Sequence, residues 1–69
     1  MPLTMADFGK EMVIVRITGQ EETRRRLETL GFVAGAAVTV INSINGNLIV
    51  NIKNSRIAIS RAVANKILV

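Results

Sequence analysis

AVTVINSINGNLIVNIKNSRIAIS, residues 37–60, decides how this chain is read. Ala37 to Asn42 is a β-branched run, and Asn45-Gly46 after it is the strongest short hairpin signal, because both residues accept positive φ. Leu48 to Lys53 returns as the partner strand, with Leu48, Val50 and Ile52 on one face. Asn54-Ser55 marks a second tight turn, since Asn tolerates the left-handed region. Arg56 to Ser60 is then a third strand, placing Ile57 and Ile59 together. The stretch is a meander of three antiparallel strands. Beyond it, the Ser60 hydroxyl can cap one helical turn through Ala64, and Ile67 to Val69 leaves room for a short closing strand.

On the N-terminal side, Met12 to Thr18 predicts a strand whose Val13, Val15 and Ile17 alternate onto one face, with Gly19 ending it. Gln20 to Leu30 changes period. Thr23, Leu27 and Leu30 fall on one helical face, and Glu21 and Glu22 occupy the first turn, where carboxylates favour the positive end of the helix dipole. Glu21–Arg25, Glu22–Arg26 and Arg24–Glu28 are each four residues apart, a spacing that supports a helix. Gly31 supplies the left-handed exit. Thr4 and Asp7 have capping-box-like spacing, which predicts a short helical turn ended by Gly9.

These elements predict a mainly β fold formed by one domain over residues 1–69. It has about five short strands, one helix near 20–30, and helical turns near 4–8 and 61–65. A small SH3-like β-barrel is the natural arrangement, because closure removes sheet edges that so short a chain cannot otherwise protect. An open α+β sandwich is the alternative.

With 69 residues, folding hides only about 60% of the surface the unfolded chain exposes. Cysteine and histidine are both absent, which excludes disulfides, thiolate nucleophiles and imidazole bases or ligands. Five carboxylates remain: Asp7, Glu11, Glu21, Glu22 and Glu28. The residues therefore favour a binding module over an enzyme. The longest apolar run, Ala36 to Ile41, is far below the roughly 20 residues of a membrane helix. MPLTMADFGK has no basic region followed by an apolar block, so no secretory signal is expected and a cytoplasmic location is. Residues 1–28 hold all five acids against Lys10, Arg16, Arg24, Arg25 and Arg26 and are neutral. The net charge of +4 lies wholly in Lys53, Arg56, Arg61 and Lys66. That asymmetry suits an acidic protein surface, lipid headgroups or nucleic acid.

Arg26-Leu27, Leu30-Gly31-Phe32 and Gly35 form R-L-x-x-L-G-F-x-x-G, followed by Val38-Thr39-Val40-Ile41. This pattern resembles the core signature of the FeoA family, the small proteins of bacterial ferrous iron uptake. Leu3 and Gly9 resemble that family's opening, and Ile14 to Gly19 its first strand. Arg56-Ile57-Ala58-Ile59 resembles its closing hairpin, while Ala64, Ile67 and Val69 resemble its C-terminal pattern. Asn42 to Asn47 is more compact than the Gly/Pro-containing loop usual in the family, and Asn54 stands where a glycine is common. Most of the signature has a physical role of its own. Leu27 and Leu30 would bury the helix, Gly31 and Gly35 would turn the chain, and Ala58 would permit close packing.

The resemblance implies an accessory protein without enzymatic activity or cofactor. Such a protein would act by binding the cytosolic side of FeoB, the membrane-embedded ferrous iron transporter with a GTP-binding domain. Arg24, Arg25 and Glu28 on the polar face of the helix are the candidate contacts. Ferrous sites favour imidazole, carboxylate and thiolate ligands, so a chain without His or Cys is expected to hold no tight metal site. A nucleic-acid-binding SH3-like module using the basic C-terminal part is the competing reading, with a pI near 10.8 in its favour. Against it, the chain has no Tyr or Trp for base stacking, and Phe8 and Phe32 read as core or staple residues.

Overall fold

The computed structural model describes all of Met1–Val69. Six strands and two helices follow an N-terminal 3₁₀ turn at Leu3–Met5. They are β1 (Glu11–Val13), β2 (Arg16–Ile17), α1 (Glu21–Thr29), β3 (Ala37–Ile44), β4 (Asn47–Ile52), β5 (Ser55–Ser60), α2 (Arg61–Ala64) and β6 (Ile67–Leu68). The meander forms as the sequence predicts. Within a four-stranded antiparallel sheet of order β1-β3-β4-β5, β4 pairs with β3 at Val40↔Val50 and with β5 at Val50↔Ile57. A second sheet joins β2 to β6, pairing Ile17 with Ile67.

The expected strand over 12–18 is in fact two strands in different sheets. Up to Ile14 the backbone bonds β3 and its approach: Ile14 N–H donates to Ala36 O (2.9 Å) and Gly35 N–H to Ile14 O (2.7 Å). From Val15 it bonds the C-terminal segment instead, through Val15 N–H to Leu68 O (2.7 Å). Crossing between sheets shifts the inward phase by one residue. Met12 and Ile14 face the core before the crossing and Ile17 faces it after. Val13 and Val15, expected inward, are 58% and 64% exposed. The hydrogen-bond ladder also does not close into a continuous ring, so β1 and β5 each keep a free edge.

A similar shift occurs in β3, which runs two residues past the predicted end. Val40 pairs with Val50 but Asn42 with Ile49, leaving Ile41 as the extra residue of a β-bulge. Val38 and Val40 point inward before the bulge and Ser43 opposes the buried Leu48 after it, so Ile41 and Ile44 remain on the outside. The hairpin tip is as read, with Asn45 at φ 50° and Gly46 at φ 80°. The second turn lies one residue earlier than expected. Its positive-φ pair is Lys53-Asn54, at 48° and 64°, and Ser55 already belongs to β5.

A fully aliphatic core surrounds Phe32, which is completely buried between α1 and the sheet residues Val38, Val40, Leu48, Val50 and Ile52. Phe8, the other expected core aromatic, is 58% exposed. Ala58 also departs from the reading, because it faces outward opposite Ile49 and does not mediate close packing. At the N-terminus, Thr4 caps nothing; its hydroxyl donates to Asn65 Oδ1 (2.6 Å), tying the first turn to the end of α2. Ser60 behaves as predicted, its Oγ accepting from Val63 N–H (3.2 Å).

Candidate partner-binding site

Helix α1 has one fully buried side chain, with Thr23 half-buried on the same face. Leu27 is its single buried residue, while Leu30, expected to bury beside it, stands at the C-cap and is 42% exposed. The helix spans only nine residues, so a leucine three positions after Leu27 already lies where the chain turns away through Gly31. There φ is +104°, and Phe32 N–H donates back to Leu27 O (2.9 Å). Gln20 makes no side-chain cap at the other end, which leaves Glu21 and Glu22 to complement the exposed N–H groups.

All six charged residues of α1 are exposed. Arg25 Nη2 meets Glu21 Oε1 at 2.6 Å, whereas Arg26 Nη2 is 3.9 Å from Glu22 Oε1, beyond hydrogen-bond reach. The expected third pair does not form, and Arg24 and Glu28 make no ion pair. Exposed pairs of this kind contribute under ~1 kcal/mol, so the arginines exchange partners at little cost. Arg24, Arg25 and Glu28 thus share an exposed helix that offers guanidinium forks and a carboxylate, a set suited to a mixed-charge protein surface.

The remaining motif residues divide between core and surface. Leu27, Phe32, Ala64 and Ile67 are buried, and Gly31 and Gly35 (φ +90°) hold the turns. Arg26 and Arg56 are exposed. The outer face of the four-stranded sheet carries Ile41 and Ile49 near Ala58, with Ile44 at one end of β3 and Val13 on the far edge strand, a surface no sequence motif marks. The available signal was a set of isoleucines out of phase with the core positions, but it becomes legible only with the bulge in place. No pocket indents the surface, and no three of the carboxylates come together in a way that could hold a metal ion. No helix is long and apolar enough to cross a membrane. Geometry alone therefore offers surfaces and no cleft.

The FeoA domain model matches residues 1–69, the whole chain. The chain belongs to the FeoA family. A Methanocaldococcus jannaschii protein named Fe(2+) transport protein A is 37% identical over 68 residues, covering 99% of this chain and 83% of that protein. The crystal structure of an iron uptake regulatory protein, FeoA, superposes with a TM-score of 0.87 at 29% identity, covering 96% of this chain and 88% of that one. Stenotrophomonas maltophilia FeoA, solved with zinc and described as an SH3 domain protein, gives a TM-score of 0.85 at 23% identity, covering 99% and 87%. This likeness shows the fold alone, and the two sheets of this FeoA-family chain are accordingly an SH3-like arrangement. The family is one of accessory proteins in ferrous iron transport.

Proposed function

We propose that this chain is a cytoplasmic accessory protein of ferrous iron uptake that binds the cytosolic side of a FeoB-type transporter and tunes its assembly or activity. The observation that carries this reading is the family match over residues 1–69. The exposed charges of α1 support action by surface contact. A body with no pocket and no metal-holding cluster presents surfaces, and α1 projects Arg24, Arg25 and Glu28 from a single hydrophobic anchor. The partner surface matched to that face carries both carboxylates and a base, and the arginines supply the planar, bidentate recognition.

An amide-shift titration of the ¹⁵N-labelled chain with the transporter's cytosolic GTP-binding domain tests the proposal. Shifts centred on residues 21–30 are expected, and the Arg24→Glu/Arg25→Glu variant should bind at least ~10-fold more weakly while remaining folded by circular dichroism, since like charges then face each other across the contact. Shifts elsewhere would remove the α1 assignment. An absence of shifts at high partner concentration would remove this domain as the partner.

A further inference from the structure

We propose that the outer face of the four-stranded sheet is an isologous contact with a second copy of this chain. Register places Glu11, Thr39, Asn51 and Arg56 in one row across β1, β3, β4 and β5. All lie on the outside, since the alternate residues Met12, Val38, Val50 and Ile52 line the core. Glu11 and Arg56 are the only charged residues among the paired positions of the sheet. Three strand spacings separate them, about 14 Å, and neither forms an ion pair within the chain. Between them stand the uncharged Thr39 and Asn51, and the rows beside mix apolar and polar side chains, with Val13 and Ala37 on one side and Ile41, Asn42, Ile49, Ala58, Ile44 and Asn47 on the other.

Opposite charges at the two edges of one row are self-complementary in one orientation. A two-fold axis parallel to the strands, between β3 and β4, sets Glu11 of each copy against Arg56 of the other. It also lays the apolar rows over one another in the aligned packing that two β-sheets adopt. An axis across the strands would instead oppose like charges, so the charge pattern selects the first arrangement. The face measures roughly 19 by 20 Å, from four strands ~4.8 Å apart and about six residues long. That is below the ~800 Å² per partner of a standard interface, so the contact is a weak, reversible one. The only buried residue of α1, Leu27, packs on the opposite side of this sheet, so the dimer would display two copies of α1 to a partner.

Sedimentation equilibrium of the chain alone tests this independently of any transporter. Mass should rise from 7.5 kDa toward twice that value between about 10 µM and 1 mM. Glu11→Arg and Arg56→Glu should each weaken association at least ~10-fold, and the double exchange Glu11→Arg/Arg56→Glu should restore it. Ala58→Arg, a second exposed change in the same face, should also abolish the dimer, with circular dichroism checking the fold of every variant. A monomer throughout that range would overturn the proposal. So would a dimer indifferent to both single changes, or a folded double exchange that fails to reassociate.

Discussion

The single anchor of α1 makes Leu27→Ala the most discriminating perturbation, because Leu30→Ala in the same helix is its control. Leu27 is 3% exposed within the aliphatic core, and truncating a buried leucine costs about 2–5 kcal/mol in transfer and cavity terms. Leu30 is exposed at the C-cap, where the same change is expected to stay within ~0.5 kcal/mol. Alanine is at least as good a helix former as leucine, so propensity does not confound the comparison. A domain of this length has a total stability of only roughly 3–10 kcal/mol, so Leu27→Ala removes a large share of it. At ~4–8 °C per kcal/mol, Tm should fall by at least about 8 °C, against under ~4 °C for Leu30→Ala. Urea unfolding with a shared m-value gives the difference directly, and hydrogen exchange should show the amides of 21–29 losing protection first. Equal losses for the two variants, or a loss under ~1 kcal/mol for Leu27→Ala, would refute the single-anchor account.

Gly31→Val should destabilise by ~1 kcal/mol or more, since φ is +104° and an added Cβ would stand 3.2 Å from Lys53 Cδ. An unchanged melting temperature would remove Gly31 from the helix exit. Ser60→Ala should lower stability by about 1 kcal/mol through loss of the bond to Val63 N–H, and Ser60→Asp should recover most of it. Thermal melts of the three proteins decide this.

What could be foreseen from sequence is local in origin. Asn45-Gly46 encodes its own turn, Ser60 its own cap, Gly31 its own exit, and the run from Glu21 to Thr29 its own helix, because each signal and the structure it specifies lie within a few residues. Departures occur where a distant segment decides. Val13 and Val15 alternate perfectly with Ile17, yet the chain changes sheets between Ile14 and Val15 to meet Leu68. Ile41 continues a β-branched run, but the pairing with β4 makes it the bulge. At the second turn Asn54 draws attention, whereas the two-residue type I′ turn formed here needs positive φ at both positions and recruits Lys53, which no propensity favours there. The candidate site divides in the same way. The charges of α1 are legible from their spacing, while the Glu11–Arg56 row exists only once four strands are in register.

The exchange of sheets between Ile14 and Val15 also orders how the chain can fold as it is made. The meander from Ala37 to Ser60 is built from neighbours in sequence and can close as soon as it emerges from the ribosome. The segment containing Arg16 and Ile17 has its partners about fifty residues downstream, at Ile67 and Leu68. Until that pairing forms, one sheet has no second strand and the buried Ile14 has no complete surroundings. Pairing across that sequence separation costs more loop-closure entropy than the hairpins of the meander, so the docking of β2 on β6 is expected late in folding. A transient species with a formed meander and an unpaired, strand-forming N-terminal segment is therefore the one most exposed to capture by a neighbouring chain.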